Sequence, residues 1–412
     1  MSTDRRPRLY RQLFRQGEIG WALLVSQAAR LPAAMIGLAI ILRLAGGTGS
    51  YARAGVATAA YVAGVALAGP LLGRAADRLG WRSVLLATAL MDAALLILLG
   101  LVPVEDTCFV LLTAGGVGLM LPPVAPAMRA LWPKVATGSR RELLFSLDAT
   151  LQETTWIVGP ALVALMATFA GSSAPLVASG LLGLAGTLAL VGRPVPVPGS
   201  AEPVSTHDRM GVWSMGLLTL VTVSLLFASG TGAVQVAVVA FAHLRHASGQ
   251  SGLLISVWSL GSLVGGLSYG RRATASGAGG LGALLVFVGL GEALLAGSPT
   301  TAVLYVVLFI GGTGFAPVIG CLLRVVSDLA PPRAATEAFG WIASGNRIGA
   351  AAGAALGGLL VQAAGTRMVF VLAGTATALA GFTAISGRTV LQADARALRA
   401  PFTRRHLSSS PR

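Results

Sequence analysis

Charge is what this sequence has least of. Asp, Glu, Lys and Arg make up 11% of its 412 residues, against about 25% in ordinary soluble domains. With 55% of the chain hydrophobic, too little polar surface is left to clothe a soluble enzyme. Lysine occurs once, at Lys134, and histidine four times. No His and Cys spacing points to a metal. No Gly-x-x-x-x-Gly-Lys-Ser/Thr loop is present to cradle ATP phosphates, so neither a cofactor nor an ATP-driven pump within this chain alone is expected. Basic residues outnumber acids 30 to 15, for a net charge of +15. They lie in scattered groups between apolar runs, so no basic folded domain exists to meet a nucleic acid. The first 17 residues are polar and Arg-rich, and the apolar run after them is long enough to span, so a cleavable signal peptide is not expected.

What is present is a long series of continuous apolar runs. Each membrane crossing needs about 20 apolar residues, which allows about twelve spans and points to a polytopic α-helical membrane protein. The runs are too long and too continuous for the alternating short strands of an outer-membrane barrel. Six lie near 19–43, 54–73, 84–103, 108–131, 143–170 and 174–192, and six more near 213–242, 250–270, 281–297, 302–326, 338–364 and 368–387. The expected organisation is an N-terminal six-helix bundle over 1–192, a linker at 193–211, a second bundle over 212–387 and a basic tail at 388–412. Of the 30 basic residues, 24 fall on one side, while Arg43, Arg53, Arg245 and Arg367 fall on the other and Arg30 and Arg347 lie inside spans. The positive-inside rule then puts both termini in the cytoplasm of a multi-pass protein of the inner, or plasma, membrane. Cys108 and Cys321 fall near opposite faces, too far apart for a disulfide.

A repeat supports the division. A shift of 195 residues carries Pro122 to Pro317, Arg129 to Arg324 and Glu142 to Glu337, and a shift of 197 carries Gly69, Gly73 and Arg74 to Gly266, Gly270 and Arg271. Parallel halves related by an axis along the membrane normal belong to one large transporter class. Between the second and third spans stands Gly73-Arg74-Ala75-Ala76-Asp77-Arg78-Leu79-Gly80-Trp81-Arg82. This resembles the signature of the major facilitator superfamily, Gly-x-x-x-Asp-Arg-x-Gly-Arg-Arg/Lys. Gly73, Asp77, Arg78, Gly80 and Arg82 match, and Trp81 departs at the first closing basic position. Physically, Gly73 permits close helix approach, Gly80 a tight turn, and Asp77 contact with a helix N-terminus. The resemblance implies a twelve-helix major facilitator fold with a charge latch at these five residues that breaks when the transporter changes state. Arg30-Leu31-Pro32-Ala33-Ala34-Met35 in the first span is similar to a pattern of actinobacterial members of efflux type. Gly159-Pro160 resembles the core of a drug/proton antiporter motif, although Leu162 and Val163 replace its later glycines, and it also reads simply as a bend.

Ionisable groups inside spans cost a few kcal/mol each and are usually paired or lining water. They are Arg30, Asp92, Asp148, Glu153, Glu292 and Arg347. Arg30 lies about 18 Å along its helix from Glu18, and Glu153 about 15 Å from Leu143, so their depths agree. The expected pair is therefore Arg30 with Glu153, facing the cavity, with Glu153 titrating and Arg30 setting its pKa, or else a structural ion pair without a transport role. Asp148 and Gln152 share a helix face that Glu153 does not, so Asp148 is expected to face a neighbouring helix. Arg347, beside Asn346, either offers a cation to an anionic substrate group or snorkels to the interface. Gln27, Gln152, Gln235 and Asn346 are candidate substrate contacts, or bonds between helices. Trp156 and Trp258 are candidate cavity aromatics. Pro122, Pro123 and Pro126 foretell a bent fourth helix.

The chain thus reads as a monomeric secondary transporter exporting a small organic molecule by proton antiport and alternating access, not an enzyme. Its expected partners are that substrate, protons and the lipid bilayer. Two readings stay open beside it: a proton-linked importer of a sugar or organic acid, and a non-transporting receptor or accessory subunit of the same fold.

Overall fold

The computed structural model describes residues 17–48, 51–101, 103, 106–193, 213–244, 251–272, 278–298 and 300–396. The N-terminal arginines, all of the linker after Arg193 and the tail beyond 396 lie outside them. Every described element is a helix. In order they are α1 (Gly17–Thr48), α2 (Tyr51–Leu79), α3 (Trp81–Leu101), α4 (Thr107–Met120), α5 (Val124–Val135), α6 (Gly138–Ala170) and α7 (Ala174–Gly192). Then follow α8 (Met215–Leu244), α9 (Ser251–Arg272), α10 (Ala278–Leu294), α11 (Thr301–Gly312), α12 (Phe315–Leu329) and α13 (Ala335–Ser386).

Ten of the described helical stretches are long and apolar enough to cross a membrane, and Leu253–Tyr269 is a shorter apolar one. One of the ten, α13, is two helices meeting at Gly365, whose φ of 77° lies in the left-handed region that only glycine enters freely. The twelve expected runs are thereby all accounted for. Side chains such as Leu67, Leu112, Phe169 and Phe382 are exposed, as a lipid-facing surface requires. Hydroxyls within spans bond back one turn, Thr88 to the Val84 carbonyl at 2.7 Å and Ser179 to that of Pro175 at 2.7 Å, which satisfies them within their own helices.

The fourth and tenth runs are each broken. Leu121-Pro122-Pro123 separates α4 from α5, as the prolines foretell, because each lacks an N–H and crowds the carbonyl four residues back. The break between α11 and α12 at Thr313-Gly314 has the same cause: Pro317 stands four residues after Thr313 and cannot bond its carbonyl.

The chain forms two compact units, Met1–Glu202 with Phe339–Arg347, and Pro203–Ala338 with Ile348–Arg412. The nine residues of α13 that join the first unit depart from a clean division at the linker. Their hold there is specific: the Ser344 hydroxyl donates to the Ala66 carbonyl at 2.6 Å, and the Phe145 and Phe339 rings lie 6.3 Å apart. The first unit's core gathers Met35, Ile36 and Ile40 of α1, Tyr61 of α2, Leu96 of α3 and Val117 of α4. The second gathers Val234 and Val238 of α8, Trp258 of α9, Leu308 of α11 and Phe370 of α13. Both units use one seam. A Cβ at Gly64 or Gly118 would overlap the carbonyl of Gly115 or Tyr61, and one at Gly261 or Gly265 would overlap that of Phe309 or Thr313. Such backbone-to-backbone packing is how helices associate without a hydrophobic drive. Of the tail, residues 388–396 are helical, and Asp394 accepts from the Gly216 N–H at 2.8 Å, capping the start of α8.

Candidate functional site

The first unit buries a cluster of charge. Arg30, midway along α1, donates through Nη1 to Asp148 Oδ1 at 2.7 Å, and Arg129 of α5 donates through Nε to Oδ2 at 2.9 Å. Gln27, three residues before Arg30 and so on nearly the same face, extends its Nε2 to within 3.4 Å of Oδ1. The Asp148 side chain is wholly inaccessible and that of Arg30 4% exposed. Three helices are tied through one carboxylate, and its two oxygens are spent on two guanidiniums.

The expected pairing of Arg30 with Glu153 is therefore corrected: Arg30 meets Asp148. Equal axial depth did not decide the partner. Asp148 stands one and a half turns earlier on α6, an offset of about 7.5 Å, and azimuth selects it because Glu153 is about 140° round the helix. Glu153 is itself buried and makes no hydrogen bond or ion pair with a described residue. The expectation that Asp148 faces a neighbouring helix agrees with the geometry. Arg129 stands outside the six ionisable groups expected inside spans. Its signal was its place inside the fourth apolar run, 108–131, where an arginine needs a partner.

The other candidates are dispersed. Gln152 is half-buried, while Gln235 and Asn346 are exposed. Arg347 does not snorkel alone: its guanidinium lies 5.1 Å from the ring centre of Trp156, within the first unit. Gly159 brings α6 against α1, since a Cβ there would meet Ala34, and α6 runs unbroken through Pro160. At the signature, Gly80 takes a φ of 90°, the turn expected of it, between α2 and α3. Gly73 is buried and Asp77 half-buried, Arg78 and Arg82 are exposed, and Arg82 lies 5.3 Å from the Trp81 ring that displaces a basic residue.

The second unit buries Glu292 of α10, which accepts from the Thr377 hydroxyl at 2.6 Å, and Glu337 of α13. Glu292 borders a cavity of about 10 Å³ with Val234, Trp258, Leu308 and Gly312, room for about one water. Trp258 packs edge-on against Phe315, with centroids 5.4 Å apart. Asp92 of α3 is likewise buried. Cys108, exposed, and Cys321, buried, are not joined in a disulfide. Among the described residues no three His, Cys, Asp or Glu side chains group to hold a metal.

The family model of the Major Facilitator Superfamily matches residues 22–287 and 220–411. No curated protein matches the chain in sequence. Similar solved structures include the human organic anion transporter MFSD10 (TETRAN), at 17% identity and a TM-score of 0.70 over 89% of this chain and 99% of that one. A bacterial homologue of the iron transporter ferroportin, in an outward-facing state, is 16% identical with a TM-score of 0.71 over 89% and 98%. The proton:xylose symporter XylE is 15% identical with a TM-score of 0.70 over 89% and 95%. At these identities the likeness is one of fold: an all-α transporter fold, multi-pass in the membrane.

Proposed function

The chain belongs to the major facilitator superfamily, whose members are transporters rather than enzymes, and we propose that it exports a small organic molecule across the plasma membrane by proton antiport. It works as a monomer by alternating access, with both termini in the cytoplasm. The observation that carries this reading is the buried cluster of Arg30, Arg129 and Asp148 within the apolar spans. Charges buried in hydrocarbon are costly and mark transport paths and proton relays. Asp148 spends both oxygens on guanidiniums, which leaves Glu153, on another side of the same helix, as the buried acid of α6 with no partner among the described residues. We assign it the transported proton. Gly159-Pro160, seated on α1, supports the antiport direction by its resemblance to an antiporter motif. The turn at Gly80 and the flanking Gly73, Asp77, Arg78 and Arg82 supply the latch between states.

Purified protein in proteoliposomes, screened with amphipathic drugs and metabolites, tests the reading. Substrate-evoked proton flux that vanishes in Glu153→Gln is expected. Flux that survives the substitution moves the proton to another acid, and absence of flux with every compound overturns antiport.

A further inference from the structure

The charge cluster is not balanced. Two guanidiniums share one carboxylate, leaving one positive charge over, at a depth where an uncompensated charge is strongly unfavourable. Of the groups packed there, Gln27 is neutral and Glu153 projects from another side of α6. The surplus is also local. Arg30 uses Nη1 on Asp148, while its Nε and Nη2 are buried with no hydrogen-bond partner among the described residues, as is the amide oxygen of Gln27 one turn away. Nε and Nη2 form one edge of the guanidinium plane. Their N–H bonds run parallel, at the spacing of two oxygens of a carboxylate or phosphate, which is the bidentate geometry that favours arginine over lysine.

From this geometry we infer that the free Nε/Nη2 edge of Arg30 receives an oxyanion of the transported molecule, a carboxylate or phosphate, while Gln27 accepts from a donor beside it. The inference rests on the transport reading and names its substrate class. Arg30 stands thirteen residues from Gly17 and fourteen from Leu44, the bounds of its span. About 20 Å of helix therefore extends to either side of Arg30, while its partners Arg129 and Asp148 stand six and eight residues from the near ends of their spans, Val135 and Arg140. The edge lies inside the spans, where transporters of this kind hold their substrates. The bound anion neutralises the cluster's surplus. A neutral or cationic analogue leaves the edge unpaired or adds repulsion, so selectivity is by charge as well as shape.

The test uses matched pairs, benzoate with benzamide, indole-3-acetate with indole-3-acetamide and octanoate with octanamide, together with phenyl phosphate. Binding to the detergent-solubilised full chain is read by thermal stabilisation, and transport by flux in phosphatidylcholine vesicles. At least one acid is expected to bind tenfold or more tighter than its amide. Arg30→Lys, which keeps the charge and loses the fork, is expected to raise that acid's half-saturation about tenfold with little change in maximal rate. Equal binding of acid and amide in every pair overturns the proposal, and so does a preference that Arg30→Lys leaves intact. Should the lysine variant fail to fold, the parent's preference alone still decides. An acid preference seen in phosphatidylcholine nanodiscs but abolished in phosphatidylglycerol nanodiscs assigns the edge to lipid headgroups and also overturns it. Acid-selective binding without proton flux removes the antiport reading and keeps the anion site. Flux indifferent to acid or amide does the reverse.

Discussion

The two units share a scaffold and differ in charge. Gly64 and Gly261, related by the repeat, each press a helix onto its neighbour's backbone, and both broken runs owe their breaks to prolines related by the repeat, Pro122 and Pro317. The shift of 197 residues, however, carries Arg30 to Phe227 and Gln27 to Ser224, and the shift of 195 carries Asp148 to Ala343. Phe227 is buried against Phe315, with ring centres 5.1 Å apart. The second unit buries Glu292, satisfied on one oxygen by a hydroxyl, and Glu337. The repeat does carry Arg129 to Arg324 and Glu142 to Glu337, so the charge is duplicated only in part, while the packing is duplicated throughout, and helix association and ion chemistry are separable here. Glycine seams build each unit, and the cluster in the first adds function at a cost in desolvation.

The sharpest way to break that comparison is Asp148→Asn. Two buried guanidiniums lose their shared counter-charge, and a loss of about 3–5 kcal/mol is expected, read as a drop in melting temperature of the detergent-solubilised protein. The triple change Arg30→Met, Asp148→Leu and Arg129→Met should fold as well as the parent or better, because a whole buried ion cluster replaced by apolar groups costs little, while transport disappears. If instead the triple variant unfolds, the cluster is structural. Next in size, Gly118→Val and Gly265→Val should destabilise alike, by about 1–3 kcal/mol or more, since each Cβ meets backbone rather than a movable side chain. Unequal losses would show that the seams are not equivalent. Glu292→Ala, which leaves the Thr377 hydroxyl unanswered, should cost about 1–3 kcal/mol, and Glu292→Gln less, with proton flux retained in both. Loss of flux in Glu292→Gln would move the ion chemistry into the second unit. Smallest, Trp156→Leu removes the partner of Arg347 and should cost about 0.5–1 kcal/mol, measured by the same melt.

Much of the scaffold was legible. Hydropathy located the spans because hydrocarbon tolerates only self-bonded helices, Gly80 announced its turn, and Pro122-Pro123 announced a break. The break at Thr313 was not read, because its cause stands four residues downstream. The site was legible in membership and not in pairing. Arg30, Gln27 and Asp148 were all singled out, yet depth along a helix is a one-dimensional measure. The partner of Arg30 depends on rotation about α6 and on where α5 points after its prolines, neither of which a hydropathy profile contains. The place of Arg129 inside the fourth apolar run was a readable signal, but its partner was not.

The glycine seams bear on how this protein can evolve. Where one main chain rests on another, every substitution adds atoms to a place that has none to give, so the permitted alphabet at Gly64, Gly118, Gly261 and Gly265 shrinks to a single letter. Lipid-facing positions such as Leu112 and Phe382 accept any apolar residue of similar size. A mutational scan of each helix would therefore trace a narrow intolerant stripe beside a permissive one. Lineages diverging from this chain are free to exchange their outer surface and the charges of one unit while the seams hold still.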